Sequence, residues 1–118
     1  MSAKHKVDNK LYLNHTLDAC DEIASHLSDM TKQEFLSDNK TQDAIMYQIT
    51  IIAESLNSTS QEFKAKHPEI EWRKIKDMRN FVLHDYDNVN IHIVWDTTQK
   101  NIPQLKSQVQ KILSEVSK

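Results

Sequence analysis

The stretch TQDAIMYQITIIAESL, residues Thr41–Leu56, decides the fold class. Its large apolar side chains recur at spacings of four, three and four residues, at Ile45, Ile49, Ile52 and Leu56. This is the period of one face of an α-helix, and Ile51 and Ala53 widen that face. The pattern predicts a helix over about 41–56 that buries one side in a core.

The sequence before this stretch predicts two more helices. A 4-3-4-3 spacing predicts a helix from about Asp8 to Met30, with an apolar stripe formed by Leu13, Leu17, Cys20, Ala24 and Leu27. Thr31 and Glu34 have the spacing of a capping box, which opens a short helix over 32–36. The polar run at 37–40 separates that helix from the one at 41–56.

The sequence after it predicts a short helix, a longer one and a last helix. Residues 58–62 again have capping-box spacing, and the short helix that they open is expected to end at 67–68. A helix with one apolar face follows at about 71–84. Asn90 is suited to cap the last helix, and Pro103 is expected to kink it because proline lacks a backbone donor.

The prediction is therefore an all-α protein with about four main helices and two short ones. Its links are a few residues long, and short links favour antiparallel neighbours, so we expect an up-down bundle. One domain is expected over 1–118, with residues 1–6 loose. The chain has no glycine, which excludes the Gly-rich loops that cradle nucleotides.

Composition also indicates where the protein is located in the cell and which ligands it can bind. Cys20 is the lone cysteine, no apolar run is long enough to span a membrane, and the N-terminus lacks a signal-like stretch. These features are typical of a cytoplasmic protein. None of the six histidines has metal-ligand spacing, so we expect no metal site and no cofactor. At a net charge of −2, nucleic-acid binding would need a local cationic patch.

Such a patch lies in the helix at 71–84, where four cations fall within seven residues: Arg73, Lys74, Lys76 and Arg79. Asn80 and His84 are four residues apart and share a face. Arg79 and His84 are five residues apart, about 140° around an ideal helix. Either the helix ends near His84 and the imidazole swings round, or two chains pool their residues.

These residue types fit the cleavage of a phosphodiester. An imidazole exchanges protons near neutral pH, so His84 is a candidate acid or base. The Arg79 guanidinium can hold a phosphate and stabilise the charge on it. Asn80 can orient the imidazole or the phosphate. A route that needs no metal favours RNA, whose 2′-hydroxyl is a built-in nucleophile. Arg73, Lys74 and Lys76 are candidates to guide the RNA backbone.

A purely structural interpretation of the same residues stays open. In it, Arg79 pairs with Asp77 or Asp85 on the surface, and His84 is a cation at the C-terminal end of a helix dipole. The three remaining cations are then solvated surface residues. The chain would be a helical scaffold dimer in that case.

The chain resembles a known family from about Tyr12 to Leu113. The resemblance is carried, in order, by the segments 41–44, 51–55, 67–73, 78–86, 94–95 and 102–105. Its most specific part is Arg-Asn-x-x-x-His-x-Tyr, formed here by Arg79, Asn80, His84 and Tyr86. The sequence is thereby similar to the HepT-like branch of the HEPN (higher eukaryotes and prokaryotes nucleotide-binding) domains.

The resemblance implies a fold, an activity and a partner. It implies an antiparallel helical homodimer whose Arg-x4-His motifs meet in a cleft and form a metal-independent endoribonuclease. It also implies a toxin of a toxin–antitoxin pair, which a nucleotidyltransferase antitoxin inactivates by attaching AMP to Tyr86. The alternative is a non-catalytic HEPN-type dimer that binds a nucleotide or a partner.

Overall fold

The computed structural model describes residues 7–84 and 90–116, and of residues 81–84 it describes the backbone alone. Every regular element in these residues is helical. The α-helices are α1 (Asn9–His26), α2 (Lys32–Leu36), α3 (Asn39–Asn57), α4 (Gln61–Lys66), α5 (Trp72–His84), α6 (Ile91–Asp96) and α7 (Ile102–Val116). A π-helical segment, Thr97–Asn101, joins α6 to α7. The expected all-α class is therefore confirmed.

The end of the chain differs from the single kinked helix that the sequence predicts. The predicted helix is divided into α6, the π-helical segment and α7, and Pro103 is the second residue of α7. Proline has no backbone N–H, so it cannot complete the hydrogen-bond ladder into the preceding turn. A wider turn before Pro103 accommodates this loss.

Helix ends follow local capping, at positions close to those predicted. The Thr31–Glu34 capping box is present, and Asn90 caps α6 by accepting from the His92 amide. α1 ends at His26, earlier than predicted, and Asp29 then takes a left-handed conformation with φ 63°. α4 is capped by Ser60, one or two residues beyond the expected cap, because its hydroxyl is the group that reaches the amide three residues on.

The core lies mainly where α3 packs against α1 and α5, and where α7 packs against α1. The apolar stripe of α3 is buried as predicted, and its fully enclosed side chains include Ile45, Ile52, Ala53 and Leu56. Phe35 of α2 is also fully buried, and its ring lies 5.3 Å from that of Trp95. α3 is thus the central helix, and it packs against α1, α2 and α5.

The start of α5 is fixed beside the end of α3. The Lys64 ammonium donates to the carbonyl oxygens of Asn57 and Thr59, at 2.9 Å each, and lies 5.9 Å from the centre of the Trp72 ring. The Trp72 indole N–H donates to the carbonyl of His67 at 2.9 Å. From this anchored start α5 packs against α3.

None of the described helices is long and apolar enough to cross a membrane.

Candidate active site

The candidate residues lie on α5, which has one buried side and one exposed side. Ile75 is buried and Met78 is half-buried against the core. Arg73, Lys76 and Asn80 are exposed and, at 100° per residue, lie within about 60° of one another around the helix axis. We call these three residues the α5 polar strip. Residue 84 of the α5 backbone continues the strip, since it lies about 40° beyond residue 80.

Arg79 lies at the border between the α5 polar strip and the buried side. Its Nε donates to Oε1 of Glu54 on α3 at 2.7 Å, and the two side chains are 41% and 45% exposed. The structural interpretation of the sequence offered Asp77 or Asp85 as the partner. For Asp77 this is wrong, because residues two apart in a helix point to different sides. Asp85 lies outside the described residues.

Glu54 is the residue that sequence reasoning missed. It belongs to the helix at 41–56, but it lies outside the apolar stripe and had no assigned partner. A weak signal was present: a carboxylate directly follows the apolar run Ile51-Ile52-Ala53, at the edge of a face that must pack against another helix. Only the packing of α3 against α5 brings Glu54 to Arg79 across 25 residues of sequence.

Lys74 is separated from the other candidate cations. It lies about 140° from Arg79 on the side away from the α5 polar strip. Its ammonium pairs with Oε2 of Glu71 at 2.8 Å. Lys74 and Glu71 line a mainly apolar groove of about 380 Å³ between α5, α6 and α7. The four cations that are clustered in sequence are thus divided between two surfaces.

The remaining motif residues lie at or beyond the limit of the description. The α5 backbone is helical through His84, the last described residue before position 90. The His84 side chain and the whole of Tyr86, the expected modification site, lie outside the described residues. Elsewhere in the described chain, no cluster of three histidine, cysteine or acidic residues has the geometry of a metal site.

Arg79 and the α5 polar strip offer hydrogen-bond donors to an anion. The guanidinium of Arg79 is partly exposed, and the contact with Glu54 uses its Nε, so this contact leaves the two terminal nitrogens as donors for an anion. Cations and an amide on the α5 polar strip lie beside it. The surface therefore presents donors for a phosphate next to the helix end that carries the motif histidine.

The chain matches one protein family over most of its length. The family model described as ribonuclease HepT-like matches residues 16–112. A probable ribonuclease HepT of Thermococcus cleftensis is 34% identical over 91% of this chain and 97% of its own length. A candidate RNase of Caldanaerobacter subterraneus is 33% identical over 88% of this chain and 93% of its own length.

A larger relative contains the same region as part of a longer chain. It is a Methanocaldococcus jannaschii protein, named as a gamma-glutamylcyclotransferase and candidate RNase, that is 33% identical over 94% of this chain. The chain spans 50% of that protein's length. No solved structure matches the chain. The family match and the full-length similarity to the Thermococcus protein show that this chain belongs to the HepT-like ribonuclease family.

Proposed function

We propose that the protein is the toxin of a toxin–antitoxin pair and acts as a metal-independent endoribonuclease. The substrate is RNA, and the Arg79–His84 motif carries the reaction. The observation that carries the proposal is the placement of Arg79. Its guanidinium is partly exposed and held by Glu54 at 2.7 Å, on the helix whose described backbone ends at His84.

The reaction needs a phosphate-binding group and two proton transfers. The 2′-hydroxyl of the RNA attacks the adjacent phosphorus, an imidazole takes its proton, and the 5′-oxygen leaves with a proton from a second imidazole. One product then ends in a 2′,3′-cyclic phosphate and the other begins with a 5′-hydroxyl. Arg79 stabilises the charge that builds on the phosphate oxygens, and Asn80 orients the phosphate or the imidazole.

A homodimer supplies the second imidazole. Arg79 and His84 are about 140° apart around α5, so one helix does not aim both at a single phosphate. A twofold axis beside α5 would bring Arg79 of one protomer toward His84 of the partner subunit and double the set. Arg73 and Lys76 then extend the cationic surface along the RNA backbone. Lys74, which is paired with Glu71 on the other side, contributes less.

The first test is cleavage by the purified protein and its motif variants. Wild type is expected to cut single-stranded RNA in the presence of EDTA and to leave cyclic phosphate ends. Arg79→Ala and His84→Ala should each lose at least about a hundredfold in rate, the usual cost of removing a group that stabilises the transition state. Lys66→Ala removes a surface cation that is paired with Glu62, and it is the matched control. Normal cleavage by both motif variants would overturn the proposal.

Subunit mixing tests whether the site is shared. The two inactive variants, Arg79→Ala and His84→Ala, are mixed under conditions that allow subunit exchange. In a mixed dimer the intact arginine and the intact histidine come from different chains, so a shared site regains part of its activity. A site formed within one chain regains none. Light scattering on the same samples checks that dimers are present.

Control by the antitoxin is the last part of the proposal. A nucleotidyltransferase partner transfers AMP from ATP to the hydroxyl oxygen of Tyr86, two residues beyond His84; pyrophosphate leaves, and the hydroxyl proton is lost. The added phosphate would pair with Arg79 and occupy the place of the substrate phosphate. Co-expression with the partner should therefore raise the intact mass by AMP units and abolish cleavage. Tyr86→Phe should stay unmodified and active. Equal cleavage by modified and unmodified protein would refute this control.

A further inference from the structure

We infer that Glu54 is a positioning residue, which orients the Arg79 guanidinium so that its terminal nitrogens face the scissile phosphate. This inference rests on the proposed ribonuclease function. Its basis is an interhelical hydrogen bond between described residues, from Nε of Arg79 to Oε1 of Glu54 at 2.7 Å.

The geometry of the guanidinium explains how this contact orients it. Arginine has five N–H donors in one plane, and Nε is the donor nearest the backbone. When a carboxylate accepts from Nε, the direction of the group is restrained, and that contact does not use the edge formed by the two terminal nitrogens. That edge can bind two oxygens of a phosphate through parallel hydrogen bonds.

Glu54 is placed on a more rigid support than Arg79. Its neighbours Ile52 and Ala53 are fully buried, and α3 continues to Asn57, where Lys64 caps the carbonyl. Arg79 belongs to α5, and its neighbour Met78 is only half-buried against the core. The Glu54 carboxylate therefore restricts the rotamers of Arg79, a long side chain that would otherwise populate many of them.

Stability alone is a poor explanation for this pair. Both side chains are more than two-fifths exposed, and ion pairs with such exposure contribute little to folding because solvent screens them and ordering the side chains costs entropy. A carboxylate beside a phosphate-binding group also weakens phosphate binding by like-charge repulsion. Glu54 thus opposes binding of the substrate while it improves the geometry of catalysis.

These two opposed effects give a specific kinetic signature. Glu54→Ala and Glu54→Gln are expected to lower kcat about ten- to a hundredfold, because a small misplacement of a catalytic group is costly. The dissociation constant for uncleaved RNA, measured in the His84→Ala background, is expected to stay equal or fall a few-fold. A role in folding alone would weaken binding and catalysis together.

The matched control is Glu62→Gln. It removes another exposed carboxylate that pairs with a cation, Lys66, on α4. Its kcat and RNA affinity should equal those of the wild type. Glu54→Asp keeps the charge on a shorter side chain and should recover part of the lost rate. Thermal unfolding of each variant shows whether the fold is kept.

A double-mutant cycle tests whether Glu54 acts through Arg79. In an Arg79→Ala background, Glu54→Ala should change neither the residual cleavage nor the RNA affinity, since the group that it orients is gone. A full further loss in that background would overturn the inference. So would a folded Glu54→Ala variant with wild-type kcat. Failure of the wild type to cleave RNA at all would instead refute the proposed function.

Discussion

The division of the α5 cations between two surfaces predicts that Lys76 and Lys74 differ in their contribution to RNA binding. Lys76 is exposed on the α5 polar strip, about 60° from Arg79. Lys74 lies on the other side of the helix, and its ammonium is 2.8 Å from Glu71. Both residues are lysines on α5, and they are two positions apart in sequence. Lys76→Gln and Lys74→Gln are therefore a matched pair of variants.

The expected magnitude follows from counterion release. Each phosphate that a cation neutralises on single-stranded RNA contributes a slope of about 0.7 to the dependence of log affinity on log salt. Lys76→Gln should therefore reduce the slope by about 0.7. At about 0.1 M salt the same contact corresponds to roughly a fivefold loss of affinity. Lys74→Gln should leave the slope unchanged, since Lys74 faces away from Arg79 and already has a carboxylate partner.

The assay is the fluorescence anisotropy of a labelled single-stranded RNA that is titrated with protein. The titration is repeated at several salt concentrations from about 50 to about 200 mM. His84→Ala serves as the background in all samples, so that the RNA stays intact. Equal slopes for the two variants, or a larger loss for Lys74→Gln, would refute the assignment of the RNA path to the α5 polar strip.

Two further predictions concern the scaffold. Burial, and to a lesser extent Asp21, raises the pKa of Cys20 to about 11 from 9.0, so the folded state favours the neutral thiol. The resulting stabilisation of the folded state is fully present below about pH 9, the pKa of the unfolded thiol, and is lost as the pH rises through about 11. The contribution to the free energy of unfolding is about 3 kcal/mol, at about 1.36 kcal/mol per pKa unit. Chemical denaturation should show a steeper alkaline loss for wild type than for Cys20→Ala, and parallel pH profiles would contradict the assignment. Ser60 accepts from the amide of Phe63 and from the side chain of Asn9, at 3.1 and 3.2 Å. Ser60→Ala should therefore lower the free energy of unfolding by about 1 kcal/mol, and a change near zero would show that α4 does not need this cap.

The parts of the fold that local interactions decide could be predicted from the sequence. The stripe of α3, the capping box of α2 and the cap of α6 depend on residues two to four positions apart, and all are present in the structure. Boundaries were predicted less well. α1 ends at His26 because the chain turns at Asp29, and no periodic pattern signals that turn. Pro103 marked an irregularity correctly, but its form, a π-helical segment, depends on how α6 and α7 both reach the core.

The sequence by itself determined the helical class, the family and the position of the Arg79–His84 motif in a single helix, because these depend on periodicity and on a short linear pattern. Only the tertiary structure decided which carboxylate holds Arg79. The physical reason is that α3 and α5 are brought together by burial of their apolar faces, to which Glu54 does not belong. Its position beside Arg79 follows from the crossing of the two helices, and that crossing is set by the packed core as a whole.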